Sequence, residues 1–280
     1  MAYTRRFDCD RVLHMFTNLA VLTLLVPALY SQAAPAWSAE QMEAFLHKAS
    51  IKSQRGAKKG VTGTTRATLT DGGRTHDASI QTIDEMKAKF ESPAGTEFNF
   101  QDSYKLNIAA YRLGLLLGLD AMIPASVERS FNGKPGSYTW WIDNIQMDEV
   151  DRLKKKIEAP DKDRWSRQYL IMKIFDQLIY NMDRNATNIL YDKEWRLWMI
   201  DHSRAFRRHA KLPNEKTLDK CDAELLARIK GLKERDVKEQ MGRWLDPSQI
   251  RGLMARSKLI VKHFEAAGPT KIYSFLPDQR

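Results

Sequence analysis

Two neighbouring stretches decide the fold: NMDRNATNIL, residues 181–190, and LWMIDHSRAF, residues 197–206. The first follows a long helical pattern of apolar residues and predicts a loop that leads into a strand, and the second predicts a strand that ends at Asp201. Asp183 and Asn188 are five residues apart on the loop, and Asp201 follows thirteen residues later. The simpler alternative is a capped helix end followed by two turns rich in Asp.

Phosphoryl transfer needs these three side-chain types. One carboxylate orients the attacking hydroxyl, while an amide oxygen and a second carboxylate hold Mg²⁺ on the phosphates of the nucleotide. We therefore interpret Asp183 as the candidate catalytic residue and Asn188 and Asp201 as candidate metal ligands. His202, beside Asp201, either orients that carboxylate or packs in the core.

The sequence before residue 144 predicts a small lobe that is rich in strands. Glycine and asparagine turns separate short alternating runs, and one apolar helical run stops at Gly118. The predicted elements are a helix at 39–49, strands at 64–69 and 77–83, a loop at 86–100, a helix that opens at 101, and strands at 122–131 and 137–142.

After Asn144 the pattern becomes mostly helical. The predicted elements are helices at 145–157 and 165–181, a hairpin at 187–192 and 195–200, and helices over 216–267 with a break at Pro247. The predicted fold is therefore α+β with two lobes, a small strand-rich N-lobe at 38–144 and a mostly helical C-lobe at 145–280.

The two stretches that open this section resemble the catalytic core of atypical kinases, the superfamily of phosphatidylinositol 3-/4-kinases and HipA-type serine/threonine kinases. The segment NIAAYRLGLLLGLDAMIPASVERSFNGKPGSYTWWID, residues 107–143, is similar to their αC helix and to the strands that lead to the adenine hinge. The resemblance covers roughly residues 55–205, and the whole chain resembles an exported bacterial member. It implies a two-lobed protein-kinase-like fold, ATP and Mg²⁺ as cofactors, and a hydroxyl group as acceptor. It also implies Asp183 as the catalytic aspartate, with Asn188 and Asp201 as metal ligands.

The chain departs from the family's pattern at two positions. Kinases of this type pair a lysine of the third strand with a glutamate of the αC helix. Gln81 and Asn107 stand where we look for these residues. An amide pair can replace the ion pair structurally, although it supplies no positive charge, for which Arg66, Lys58 and Lys59 are the candidates. Two hypotheses follow: an active phosphotransferase, or a pseudokinase that serves as a binding or scaffold module.

A glycine-containing loop, GAKKGVTGTT at residues 56–65, precedes the strand at 64–69. Glycines allow backbone N–H groups to face an anion, so Gly60 and Gly63 are candidates for covering the nucleotide phosphates. A flexible surface turn is the alternative. Trp140 and Trp141 are candidates for lining the adenine pocket or for packing in the core.

The amino terminus has the three parts of a secretory signal: arginines at 5, 6 and 11, an apolar run at 19–29, and small residues at 31–36. We expect residues 1–33 to direct export, and hence a periplasmic or secreted protein. An uncleaved amino-terminal anchor is the alternative. Cleavage would remove Cys9 and leave Cys221, which we interpret as a small core residue.

The composition excludes several classes of protein. The 280 residues include 45 Lys and Arg against 35 Asp and Glu, a net charge of +10, and 43% are hydrophobic. These values exclude a disordered chain, and two cysteines exclude a disulfide-dense scaffold or a cysteine-built zinc site. The positive charge favours polyanionic partners and keeps a third hypothesis open, a basic protein that binds an anionic envelope surface.

We find no motif for specific nucleic-acid binding or for an oligomeric state. A protein, a lipid head group and a sugar all stay open as the acceptor.

Overall fold

The N-lobe is built around an antiparallel sheet with one long helix against it. The computed structural model describes residues 37–56, 64–92 and 95–276. In chain order the N-lobe contains α1 (Ala39–Lys48), β1 (Ser50–Gly56), β2 (Thr65–Thr70), β3 (Thr75–Gln81), β4 (Asp84–Ser92), β5 (Gly95–Ser103), α2 (Tyr104–Leu117), β6 (Ser126–Phe131) and β7 (Lys134–Trp140).

The five-stranded sheet has the order β1-β2-β3-β7-β6, with antiparallel neighbours throughout. Successive side chains alternate between its two faces, so Ala78 and Ile80 are buried in the core, while Ser79 and Gln81 face the other way. Helix α2 ends at Gly118, whose φ of +69° is a left-handed conformation that favours glycine. A Cβ at that position would also collide with the Arg228 guanidinium.

Strands β4 and β5 form a hairpin where the sequence predicted a loop, and that prediction is wrong. The register runs from Asp84 opposite Ser103 to Ser92 opposite Gly95. Much of the hairpin is exposed and charged, which hides the alternation by which strands are recognised. Its base is buried against the C-lobe, and for this reason α2 begins at Tyr104 and not at residue 101.

The C-lobe is mostly helical. It contains β8 (Ile145–Asp148), α3 (Glu149–Lys155), α4 (Lys162–Ile179), β9 (Ile189–Asp192), β10 (Leu197–Met199), β11 (Cys221–Asp222), α5 (Ala223–Gly231), α6 (Glu234–Met241), α7 (Pro247–Ala267) and β12 (Ile272–Tyr273), with 3-10 helices at Ala186–Asn188, Glu215–Thr217 and Pro269–Lys271.

The predicted helix at 145–157 is a strand followed by a shorter helix. Strand β8 pairs with β9 in a three-stranded sheet of order β10-β9-β8, and this pairing outweighs the helical pattern of its residues. Helix α3 begins only at Glu149, where the Asp148 side chain accepts a hydrogen bond from the backbone N–H of Asp151 at 2.8 Å.

Two titratable side chains, Arg256 and Cys221, are buried in the core of the C-lobe. Arg256 of α7 is fully buried and donates to the backbone oxygen of Leu178 at 2.7 Å and of Arg207 at 3.0 Å, and burial lowers its pKa to about 10. Cys221 is buried as predicted, although it lies in β11 and not in a helix, and burial raises its pKa to about 12. This thiol is a core residue.

Within the three described ranges, no helix is long and apolar enough to cross a membrane. The predicted signal at 1–33 lies outside the described residues, as do Gly60, Gly63, Lys58 and Lys59.

Candidate functional site

A cavity of about 910 Å³ lies between the two lobes. The sheet contributes Ser79 and Thr139, and the C-lobe contributes Leu190 and Met199. Trp140 and Trp141, at the end of β7, line it as well. Its mixture of apolar surface and a few polar groups is the usual character of a small-molecule site.

Gln81 and Asn107 meet at the sheet edge of this cavity. Asn107 Nδ2 donates to Gln81 Oε1 at 2.5 Å, and Asn107 Oδ1 accepts from the backbone N–H of His202 at 2.7 Å. Both amides are buried. They connect β3, α2 and the segment after β10 without any charge, in the place where a lysine–glutamate pair is expected.

Arg66, one of the candidates for the missing charge, does not line the cavity. Its guanidinium pairs with Asp77 at 2.5 Å and lies 4.0 Å above the ring of Trp141. Burial alone would raise the pKa of Asp77, but hydrogen bonds from Thr68 and Arg66 outweigh burial and lower it. Among the described lining residues there are three aspartates, Asp148, Asp151 and Asp201, and neither a lysine nor an arginine.

Asn188 and Asp201 both line the cavity. Asn188 ends a 3-10 helix, and Asp201 follows β10 in a left-handed conformation with φ of +53°. The backbone N–H of Ile200 donates to the backbone oxygen of Asn188 at 3.1 Å. Their neighbouring positions on antiparallel segments explain why residues thirteen apart in sequence share one edge.

Arg184 holds these two segments together, a role that the sequence did not reveal. Its guanidinium donates to the backbone oxygens of Asn188 at 3.1 Å and of Ile200 at 2.7 Å. Asp176 at the end of α4 fixes the same guanidinium in a buried ion pair at 3.0 Å. Arg184 is thus committed to these acceptors and is not itself a lining residue of the cavity.

Asp183 lies outside the cavity lining, on the loop between α4 and the 3-10 helix. Its backbone N–H donates to Asn181 Oδ1 at 3.0 Å. Arg204 Nη1 lies 3.3 Å from Asp183 Oδ2, and the Asp183 side chain is 43% exposed. A partly exposed carboxylate on a loop is accessible to an acceptor arriving from solvent.

Asp102, at the end of β5, is a further carboxylate that the sequence analysis missed. It is buried, and its Oδ1 has no hydrogen-bond partner. Burial raises the pKa of Asp102, and the charges of Asp201 and Asp183 raise it further. A hydrogen bond from Ser203 acts in the opposite direction. No sequence signal places Asp102 here, because its position depends on the hairpin.

His202 packs its ring edge-on against Phe175, and its Nε2 is buried without a partner. Burial lowers the pKa of His202 well below its ordinary value, and the charge of Arg184 adds to this effect. The ring thus packs against Phe175, and the alternative role, orienting the Asp201 carboxylate, stays a prediction.

The residues present fit a divalent cation bound together with a nucleotide. No three His, Cys, Asp or Glu side chains in the described part of the chain form a metal cage by themselves. Mg²⁺, however, usually takes one or two protein carboxylates and completes its shell with phosphate oxygens and water. Asp201 and Asn188 provide such oxygens. The buried Asp102 Oδ1 has no hydrogen-bond partner, and the charge of Asp201 acts on this carboxyl and raises its pKa in addition to burial.

No protein-family model matches the chain, and no curated protein matches it. Solved structures that resemble it in fold include the following three. Hydra Fam20 with sugar has a TM-score of 0.62 at 15% identity, over 85% of this chain and 92% of that one. The Golgi casein kinase with Mn/ADP bound has a TM-score of 0.56 at 13% identity, over 85% and 80%. A second structure of the Golgi casein kinase has a TM-score of 0.58 at 13% identity, over 84% and 77%.

At these identities the likeness shows the fold. The chain has an atypical kinase-like fold, with an antiparallel-sheet N-lobe and a helical C-lobe, and the predicted fold class is confirmed. Membership of the phosphatidylinositol 3-/4-kinase and HipA-type superfamily stays a prediction.

Proposed function

We propose that this protein is a phosphotransferase that moves the γ-phosphoryl group of ATP to a hydroxyl acceptor, with Mg²⁺ bound at the cavity. The observation that carries the proposal is the placement of Asn188 and Asp201 in the lining of one cavity between two kinase-like lobes. The neighbour with Mn and ADP bound supports a nucleotide and a divalent metal as ligands.

In the proposed reaction the acceptor oxygen attacks the γ-phosphorus and forms a new P–O bond. The bond between the γ-phosphorus and the bridging β–γ oxygen breaks, and ADP leaves with that electron pair. The proton of the acceptor hydroxyl passes to the carboxylate of Asp183, the loop residue accessible from solvent. Asp201 and Asn188 would hold Mg²⁺, which when bound neutralises charge on the phosphates.

We also propose that backbone N–H groups at Gly60 and Gly63 face the phosphates. These glycines lie on the connection between β1 and β2, next to Thr64, a residue of the cavity lining. Lys58 and Lys59 belong to the same connection and are the remaining candidates for positive charge from the sheet.

A pseudokinase is the second candidate, and the Gln81–Asn107 amide pair favours it. The pair keeps the lobes connected through the 2.5 Å and 2.7 Å hydrogen bonds but brings no cation to the phosphates. A site of this kind serves as a nucleotide-responsive or scaffold module when turnover is absent. Measured turnover distinguishes the two candidates.

We propose export from the pattern at residues 1–33, to the periplasm or the medium, with an uncleaved anchor as the alternative. The net charge of +10 supports contact with an anionic envelope surface. The acceptor hydroxyl would then belong to a protein, a lipid head group or a sugar of that compartment.

The proposal is tested by thermal unfolding of the purified chain with ATP, with and without Mg²⁺, followed by transfer of labelled γ-phosphate to an acceptor panel. Binding to the folded state alone raises the unfolding temperature, so we expect a shift only when Mg²⁺ is present. Asp201→Asn should abolish that shift. Asp151→Asn, which changes another cavity carboxylate, is the matched control and should preserve it. An identical shift in Asp201→Asn and the parent would contradict the proposed metal site.

A further inference from the structure

The described lining of the cavity brings no lysine or arginine to the phosphates. Arg66 is paired with Asp77, and Arg184 is committed to Asp176 and backbone oxygens. Charge on a transferring phosphoryl group must nevertheless be stabilised, and a cationic side chain often contributes to this in phosphotransferases. A cation outside the cavity lining that contacts Asp183 on the candidate catalytic loop can supply this charge.

Arg204 is that cation. We propose that Arg204 contacts the phosphoryl group during transfer, and so supplies from the C-lobe a positive charge that the described residues of the cavity lining do not bring. The inference rests on the proposed phosphotransferase function. It adds a catalytic residue to the three candidates at 183, 188 and 201.

The geometry places Arg204 against Asp183. Arg204 Nη1 lies 3.3 Å from Asp183 Oδ2, and Nη2 donates to Glu97 Oε2 at 2.8 Å. The guanidinium carbon lies 4.9 Å from the centre of the Phe100 ring. The acceptor's proton passes to Asp183 in the proposed reaction, so the phosphoryl group moves next to that carboxylate and within reach of Arg204.

Arg204 retains unused hydrogen-bonding capacity. A guanidinium has five N–H donors, of which the contacts to Asp183 and Glu97 use two, and its Nε is buried without a partner. The planar fork of a guanidinium matches phosphate oxygens in pairs. It can therefore contact a phosphoryl oxygen while keeping one carboxylate partner.

The β4–β5 hairpin fixes the position of this side chain. Glu97 on β5 pairs with Arg204 and also with Arg207, and Arg207 donates to the backbone oxygen of Asn99 at 3.2 Å. Glu97 thus holds the segment after Asp201 at two points. The hairpin, which the sequence analysis took for a loop, becomes the element that orients the proposed catalytic arginine.

Calorimetric titration of the full-length chain with Mg·ATP and with Mg·ADP tests the inference, together with the rate of phosphate release or transfer. The variants are Arg204→Gln, Arg204→Lys and the control Arg208→Gln. Arg208 is four residues away and pairs with Asp246 at 2.6 Å, outside this network. We expect Arg204→Gln to lower the rate by about 10²–10³-fold, comparable to the loss of one transition-state donor.

Arg204→Gln should also reduce the preference for ATP over ADP, because only ATP has the phosphoryl group that this residue contacts. Its affinity for ADP and its unfolding temperature should stay close to those of Arg208→Gln. Arg204→Lys should recover part of the rate, since it restores the charge without the fork. The ATP-to-ADP preference tests the inference even where turnover is absent.

Equal rates and equal ATP-to-ADP preference in Arg204→Gln and Arg208→Gln would overturn the inference and leave the phosphotransferase proposal standing. A parent chain that binds neither nucleotide with Mg²⁺ would overturn both. An equal loss of ATP and ADP affinity in Arg204→Gln would also overturn it, because the residue would then support the site as a whole.

Discussion

The sheet side and the C-lobe side of the cavity are held together by different kinds of polar contact. At the sheet edge, Gln81 and Asn107 connect β3 to α2 through a neutral hydrogen bond of 2.5 Å. On the C-lobe side, beside the cavity and outside its lining, carboxylates and arginines form ion pairs, among them Arg204 with Asp183. Asn107 also accepts from the backbone N–H of His202 at 2.7 Å, so the two lobes are connected here without an ion pair. The amide pair provides no positive charge for the nucleotide phosphates. We propose that Arg204, on the C-lobe side, provides it.

The largest effect is expected at the C-lobe edge. Asp183→Ala should lower phosphotransfer by about 10²–10⁴-fold, the usual contribution of a positioned general base. Stability should change by only about 0.5–1 kcal/mol, because the ion pair with Arg204 is partly exposed. Rates of γ-phosphate transfer and denaturant unfolding of the same preparation measure both. If Asp183→Ala were severely destabilised while its folded fraction kept full activity, Asp183 would have a structural role and no catalytic one.

The second effect is expected at the sheet edge and concerns stability. Asn107→Leu removes the hydrogen bond to Gln81 and leaves the backbone N–H of His202 without its acceptor. We expect a loss of about 1–3 kcal/mol in the free energy of unfolding, the cost of burying unpaired polar groups. Gln146→Leu is the control, because Gln146 is an exposed amide that lines the same cavity. Equal stability of the two variants would show that the amide pair does not connect the lobes.

A third experiment introduces a charged pair at the sheet edge, where the protein has the neutral pair of Gln81 and Asn107. Gln81→Lys combined with Asn107→Glu restores an ion pair and places a cation at the sheet edge. Affinity for ATP should rise about tenfold, or roughly 1.4 kcal/mol, with Mg²⁺ held constant. Calorimetric titration measures the change, and Asn107→Glu alone, which adds only negative charge, should weaken binding. An unchanged affinity in the double variant would mean that the sheet edge does not meet the phosphates.

The smallest effect tests the core that supports the C-lobe edge. Burial raises the pKa of the Cys221 thiol to about 12. In the unfolded chain the thiol loses its proton near pH 9, so between pH 9 and 10 the unfolded chain binds fewer protons than the folded one. Stability therefore falls as pH rises, by at most about 1.4 kcal/mol per pH unit.

Chemical unfolding at a series of pH values measures this dependence, with Cys221→Ala as the reference. Cys9 is present in both chains and cancels in the comparison. The parent should lose more stability than the variant between pH 9 and 10. Parallel curves would mean that the thiol is accessible in the folded protein and that the core is more open than the structure shows.

Local patterns predicted much of the fold and the part of the site that depends on local structure. Clear periodicity and turn residues mark the helix that ends at Gly118 and the strands observed as β2, β3, β6 and β7. Asn188 and Asp201 could be placed because each adjoins a short apolar strand.

The remaining features depend on contacts between distant segments. Strand β8 is a strand because β9 pairs with it, and Arg204 is oriented by Glu97, 107 residues earlier in the chain. Asp102 reaches the acidic edge only through the hairpin, whose exposed charged strands lack the expected alternation. No local pattern records such pairings.

The affinity of the purified chain for ATP, titrated with and without Mg²⁺, tests the central claim most directly. The described cavity lining contains carboxylates and no lysine or arginine. We therefore predict saturable binding of ATP in the presence of Mg²⁺ and at least a tenfold weaker affinity, about 1.4 kcal/mol, in its absence. The same affinity in both conditions, or no binding in either, would contradict it.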